Sequence, residues 1–504
     1  MIYPSFKEYQ RLARRGNLIA LKQDFPADLE TPVSAFLKVA REEPHAFLLE
    51  SAEQEERIGR YSILGIRPEM ILISSDGEIR VKSGGKTPSA HANEDLLEMM
   101  RRTLKGNHLV NGDMLPNFAG GFVGFLGYEN VSRFEQINLS EKRGLLPEDA
   151  VFFLVKDFLL FDHFKKTLSL VSLCEIKGKS KSLLQQSYRA AKRRMGEIAA
   201  RLKRKPAFSS RRNHAKQNGV LSSNLTKREF EEKVRKIRDY IRAGDCIQVV
   251  FSQRFDLGKV RDDFEIYRAL RTINPSPYMF YFRCGELSLI GSSPELLVKK
   301  TGLRAEICPI AGTRRRGKSR EEDLRLEENL KNSPKEMAEH LMLVDLGRND
   351  LGRVCRFTTI HVNDFARVDR YSHVMHLVSS VEGQLKSGKD AFDLLRAAFP
   401  AGTVTGAPKI RAMQIIDELE PEKRGPYAGS LGYFSFNQDM DMCITIRTIL
   451  VTGKRAYVQA GAGIVFDSKP KQEYQETLNK ARALVEAVRG SPGRRQTDHD
   501  FSHR

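Results

Sequence analysis

The sequence predicts an α+β fold rich in strands. Three features point there: short apolar runs bounded by turn residues, capped amphipathic helices between them, and glycines inside otherwise apolar segments. Thr31-Pro32 supplies a helix start. "AFLLES" (46–51) and "MILIS" (70–74) are apolar runs of strand length. "FAGGFVGFLGY" (118–128) reads as a place where sheet and helix approach closely. "FLLFDHFKKTLSLVSL" (158–173) predicts a hairpin turning near Phe164-Lys165. Thr226 and Glu229 form a capping-box pattern ahead of the stripe Phe230, Val234, Ile237 and Ile241, and Gly244 stops that helix. "CIQVVFSQRF" (246–255) follows as a strand. Ile247, Val249 and Phe251 share one face, so Gln248 points to the other.

The polar, basic stretch 203–224 lacks an apolar period and reads as a linker between an N-terminal region, residues 1–202, and a C-terminal region, residues 225–489. Residues 490–504 read as a disordered tail. The chain has 504 residues, 40% of them hydrophobic, enough for a sizeable core. No run approaches the roughly 18 apolar residues of a membrane span, and the N-terminus lacks the apolar centre of a signal peptide, so a cytoplasmic protein is expected. Cys174, Cys246, Cys284, Cys308, Cys355 and Cys443 have no CxxC spacing, which argues against a zinc site or a disulfide framework. The net charge of +19 is dispersed and accompanies no nucleic-acid module. A basic nucleic-acid-binding protein is thus the remote alternative to a basic surface serving anionic substrates.

In "NSPKEMAEHLMLVDLGRND" (332–350), Ser333, Pro334 and Glu336 fill N-cap, N1 and N3, and a capping box would explain Glu336. It does not explain Glu339, which lines up with Leu343 and Leu346 on a face expected to be buried. A buried carboxylate is costly unless paired, hydrogen-bonded or metal-bound. Near the end of the chain Glu473 and Glu476 flank the stripe Tyr474, Leu478, Ala481, Val485 and Val488. Carboxylates from two such helices could hold a hard divalent cation, although solvated helix faces would look the same. Gly461 and Gly463 interrupt an apolar strand, where amides could approach an anion. Gly312 and Thr313 follow a short apolar run, and Tyr427 lies among glycines. Arg447 sits inside an apolar strand and needs an acidic partner or a ligand, and His376 lies in a predicted strand. Together these residues suggest a small polyanion held by Mg²⁺, an arginine and glycine-loop amides.

The segments "GDCIQVVFSQRF", "NPSPYMFYF", "GSSPELLV", "PIAGTRRRG", "KEMAEHLMLVDLGRNDLGRV", "AFPAGTVTGAPKIRAMQII" and "VQAGAGIVFDSKPKQEYQET", in this order, resemble the chorismate-utilising enzymes. "FLLESAEQEERIGRYSILG" is similar to their regulatory region. The resemblance implies a two-layer sandwich of antiparallel β-sheets with flanking helices, the N- and C-terminal regions closely packed. It implies Mg²⁺ held by Glu339 and Glu476, with Glu473 in the same shell. Tyr427, Arg447 and Gly463 would hold the enolpyruvyl carboxylate of chorismate. Gly312 and Thr313 would contact the substrate, with Gly461 and Ala462 behind them. Glu295 matches the family's general acid and His376 its base. Ser51 with Pro277, Tyr278 and Met279 match a tryptophan feedback site, which makes L-tryptophan the expected inhibitor.

Two positions sort the family's branches. Water-adding members carry a lysine base where this chain has Gln248, and aminodeoxychorismate synthases commonly carry lysine where it has Ala311. Both point to anthranilate, made from chorismate and ammonia, with aminodeoxychorismate as the alternative product. The chain has no Gly-x-Cys-x-Gly nucleophile turn. Ammonia is therefore expected from a separate glutamine amidotransferase subunit (component II), in a heterotetramer, or from solution.

Overall fold

A computed structural model describes residues 1–51, 59–84, 87–206, 222–370 and 374–490. Its strands form two large sheets with the helices packed around them. The first sheet runs from Ile2–Tyr3 at one edge through Leu18–Pro26, Thr167–Glu175, Asp157–Asp162, Tyr61–Ile66 and His45–Glu50. It continues through Tyr278–Cys284, Leu287–Ser293, Thr448–Thr452, Arg455–Ile464 and Gln248–Lys259 to Ser222–Ser223. The second runs from Ile310–Arg315 through Val374–Gln384, Arg304–Ile307, Leu296–Thr301, Met440–Ile444 and Ser430–Ser435. It then passes Gly121–Leu126, Ala150–Val155, Met70–Ser75 and Glu78–Ser83 to Ser89–Ala92. Neighbours pair antiparallel, as expected of an α+β sandwich.

Period-two alternation separates the two faces of the first sheet. In His45–Glu50 and Tyr278–Cys284, residues Phe47, Phe280 and Phe282 point inward to meet Phe125 and Phe153 of the second sheet. Ala46, Leu48, Met279 and Tyr281 point outward, beneath the helices Pro32–Val39, Lys181–Leu202, Asp263–Ile273 and Pro470–Arg489. Phe153 and Phe282 stack with ring centroids 4.5 Å apart. Each such buried ring contributes about 1.5–3 kcal/mol by burial alone, more than an exposed ion pair.

Both sheets contain strands from both regions of the sequence. Glu50 is in register with Met279, and Gly124 with Gly432. Of the 203–224 stretch, residues 207–221 lie outside the described residues, and Ser222–Ser223 already pairs with Phe255 and Asp256. The last helix ends at Arg489 with Gly490 in the left-handed region, and residues 491–504 of the expected tail lie outside the described residues. Among the described residues no helix is long and apolar enough to cross a membrane.

The caps at Thr31 and Thr226 form as expected, and the hairpin closes with Asp162 opposite Thr167. Four local readings need correction. Ile247 is 61% exposed, because the strand starts one residue later; Val249 and Phe251 are fully buried. Gly124 admits a neighbouring strand, not a helix: a Cβ there would lie 2.0 Å from the Val151 carbonyl oxygen. Gly461 and Gly463 do not break their strand, which pairs continuously with Val249–Ser252. The Glu336 carboxylate turns to Arg314 (2.9 Å) and leaves the capping box half-made; Ser333 still accepts from the Glu336 amide.

The basic cluster 314–316 is spent internally: Arg314 pairs with Glu336, Arg315 with Glu322 and Arg316 with Asp323.

Candidate active site

Most of the expected site residues are drawn together around one candidate cleft. Its floor is the strand Arg455–Ile464 beside Gln248–Lys259; the helix Pro470–Arg489 packs on that floor, and Glu339 of the helix Pro334–Gly352 lies in the field of its Glu476 and Lys480. The glycines of the floor let polar side chains come close. A Cβ on Gly461 would lie 2.7 Å from the Tyr427 hydroxyl, and one on Gly463 would lie 2.5 Å from Gln248 Nε2. Ala462, whose side chain alternates to the other face, is fully buried. Gln248 is buried, and its Oε1 has no hydrogen-bond partner among the described residues.

The imidazole sits at one end. The strand Ile310–Arg315 bulges between Ala311 and Thr313, and Gly312 takes φ +62°. The bulge aims the Gly312 carbonyl at His376 Nδ1, 2.9 Å away; the Thr313 hydroxyl lies 3.1 Å from the same nitrogen. A carbonyl only accepts, so Nδ1 carries the proton and Nε2 is the basic nitrogen. Burial pushes the His376 pKa down, the Gly312 carbonyl opposes this, and Arg447 adds to the lowering.

Arg447 is not inside a strand. It occupies a turn between Met440–Ile444 and Thr448–Thr452, at φ +49°. Its guanidinium donates to the Lys480 carbonyl (3.3 Å) and lies in the field of Glu295, Tyr427 and Glu476. Burial raises the Glu295 pKa; the Thr403 hydroxyl, donating to its Oε2 at 2.8 Å, and the charges of Lys480 and Arg447 oppose the rise.

The carboxylates gather on the helical walls. Burial raises the pKa of Glu339, and Glu336 and Glu476 raise it further; Lys335 and Lys480 pull it down. Burial likewise raises that of Glu473, against hydrogen bonding from Ser468, with Glu476 adding to the rise. Glu476 pairs with Lys480 at 2.8 Å. Glu476 thus lies in the field of both Glu339 and Glu473, across two helices, and hard oxygen donors of this kind are what a divalent cation needs. Among the described residues, no three acidic, histidine or cysteine groups yet close to metal-ligand distances. His340, beside Glu339 in sequence, is structural: it is fully buried, with Nε2 2.7 Å from Ser379 Oγ.

Ser51, Pro277, Tyr278 and Met279 lie apart from this cleft. They line a cavity of about 370 Å³ at the junction of His45–Glu50 and Tyr278–Cys284, with Tyr278 bonded to Asp441 at 3.1 Å.

Sequence reasoning missed three neighbours. Lys480 donates to the Gly461 carbonyl (3.0 Å) as well as to Glu476. Thr403 holds Glu295. Arg424 is buried beneath the Tyr427 ring (5.5 Å). It is held by Glu420 and by the carbonyls of Val250 and Val404. An i,i+4 Glu–Lys spacing at 476 and 480 was the one legible hint.

An imidazole, a buried carboxyl, an arginine and several further carboxylates around a glycine-containing strand suit an enzyme acting on a small polyanion. Residues 44–486 match the family of chorismate binding enzymes, and the chain belongs to that family. It is 45% identical to anthranilate synthase component 1 of Synechocystis sp. over 97% of this chain and 99% of that protein. It is 44% identical to anthranilate synthase component 1 of Acetivibrio thermocellus, with the same coverage. The crystal structure of anthranilate synthase component I from Streptococcus pneumoniae superposes with a TM-score of 0.75 at 35% identity, covering 92% of this chain and 99% of that one.

Proposed function

We propose that this chain is the large subunit of anthranilate synthase, a lyase. It converts chorismate and ammonia to anthranilate and pyruvate through an aminodeoxyisochorismate intermediate, the first step of tryptophan biosynthesis, in the cytoplasm. One observation carries the reading: the chain is 45% identical, over 97% of its length, to such a protein, and Arg447 lies in the field of both Glu295 and His376, the groups this reading makes acid and base.

In this reading Tyr427, Arg447 and the Gly463 amide hold the enolpyruvyl carboxylate, and Gly312 and Thr313 contact the substrate, backed by Gly461 and Ala462. Ammonia bonds to one ring carbon while a hydroxyl leaves another as water, taking its proton from Glu295. His376 Nε2 then removes a ring proton as pyruvate departs and the ring becomes aromatic. Burial moves the Glu295 carboxyl toward its protonated form and the His376 imidazole toward its neutral form, the directions an acid and a base need. Glu339 and Glu476, with Glu473 beside them, would hold Mg²⁺, which supplies Lewis-acid neutralisation of the ring carboxylate. Gln248 cannot serve as the base that would activate water, which supports amination.

The test is direct. Purified chain with chorismate, Mg²⁺ and ammonium should yield fluorescent anthranilate; accumulation of non-aromatic aminodeoxychorismate would overturn the assignment. Glutamine should not replace ammonium until an amidotransferase partner (component II), in a heterotetramer, is added. Substantial glutamine-driven turnover by pure chain would contradict the two-subunit reading.

The cavity around Ser51 suits tryptophan as feedback inhibitor. Ser51→Leu should raise the half-inhibitory tryptophan concentration roughly tenfold or more by filling the cavity. Uninhibited turnover should stay near wild type, since the cavity lies apart from the cleft. Unchanged inhibition, or joint loss of turnover, would place the inhibitor elsewhere.

A further inference from the structure

Lys480 holds a place that neither its sequence context nor the family assignment explains. Its ammonium bridges two elements: the Glu476 carboxylate one turn earlier on its own helix (2.8 Å) and the Gly461 carbonyl on the floor strand (3.0 Å). An ordinary solvated i,i+4 pair would make only the first contact. Lys480 also lies in the field of three further carboxylates, Glu295, Glu339 and Glu473. Lys335 also faces Glu339 and Glu473, and Arg447 faces Glu295 and Glu476, but Lys480 is in the field of all of them and is the one paired with Glu476, a carboxylate assigned above to the metal.

We propose that Lys480 is a built-in placeholder cation, which neutralises Glu476 in the metal-free enzyme and must release it before a divalent cation can bind. The inference rests on the metal reading of Glu339 and Glu476. The exchange breaks the Lys480–Glu476 pair, forms a metal–Glu476 bond, and leaves the ammonium held by Gly461 at the floor of the cleft. Until the metal enters, the ammonium offsets the mutual repulsion of these carboxylates. Lys480 acts here as a positioning residue.

The test is calorimetric titration of Mg²⁺ into the substrate-free full chain, with no turnover involved. Lys480→Met should bind Mg²⁺ roughly three- to tenfold more tightly than wild type, because the competing pair is gone. Lys480→Arg, which keeps the charge, should stay close to wild type. Lys335 faces Glu339 and Glu473 but makes no pair with Glu476. Lys335→Met should therefore tighten binding less than Lys480→Met does. Unchanged or weaker binding in Lys480→Met, or equal tightening in both variants, would overturn the exchange. Should Lys480→Met not fold, Lys480→Gln is read against the same expectations. Glu339→Gln is titrated alongside. If it binds Mg²⁺ as wild type does, or if wild type binds none, the metal reading itself has failed and the exchange with it.

Discussion

Glu339→Gln should cut anthranilate formation by about two orders of magnitude and raise the Mg²⁺ concentration needed for half-maximal rate. Glutamine keeps the shape and one acceptor oxygen but removes a charge. If Glu339 only lined its helix, losing that charge would relieve repulsion from Glu336 and Glu476 and would do no harm. If it ligates the metal, the cation loses a charged ligand, and magnesium tolerates little distortion of its octahedral shell. Asp345, on the same helix, is exposed and pairs with Arg348 at 3.0 Å. Asp345→Asn is therefore the control and should change the rate little, since exposed pairs contribute at most about 1 kcal/mol. Equal, mild effects of both substitutions, with unchanged Mg²⁺ dependence, would refute the metal assignment of Glu339.

Glu295→Gln should lower turnover by roughly 10²–10⁴-fold, the usual contribution of a positioned proton donor. The Thr403 hydroxyl can donate to an amide oxygen as it does to Glu295 Oε2, so the side chain should keep its place. What disappears is the transferable proton. Chorismate binding should be nearly intact, and the loss should fall on kcat rather than KM. Turnover above a tenth of wild type would assign the acid to another group. A raised KM with kcat preserved would recast Glu295 as a binding residue.

Local features were legible in the sequence because their causes are local. Thr31 and Thr226 cap helices through side chains three residues from their partners, and the Asp162–Thr167 hairpin needs only two apolar runs and a polar turn. The site was legible through resemblance, residue by residue, and scarcely otherwise. His376 is a base candidate because a bulge at Gly312, distant in sequence, aims a carbonyl at Nδ1. Arg447 looked like a strand residue because apolar neighbours flank it on both sides, and no spacing rule reveals a turn at a positive φ. Glu336 satisfied every rule for a capping box, yet its carboxylate meets Arg314, a partner that only tertiary packing supplies. Lys480 shows the same limit. Its pairing with Glu476 was readable from spacing, but its bond to Gly461 was not.

The sharing of both sheets between the N- and C-terminal regions bears on how the chain is made. While it emerges from the ribosome, His45–Glu50 and Gly121–Leu126 have neighbours available on one side only. Their other partners, Tyr278–Cys284 and Ser430–Ser435, are translated much later. Until then the nascent chain presents open strand edges beside Phe125 and Phe153, rings whose partner Phe282 is not yet made. Such a topology defers folding to the end of synthesis and makes it slow. It also makes the half-made chain a client for holding chaperones. A ribosome that stalls past the N-terminal region would release not a stable fragment but a sticky one.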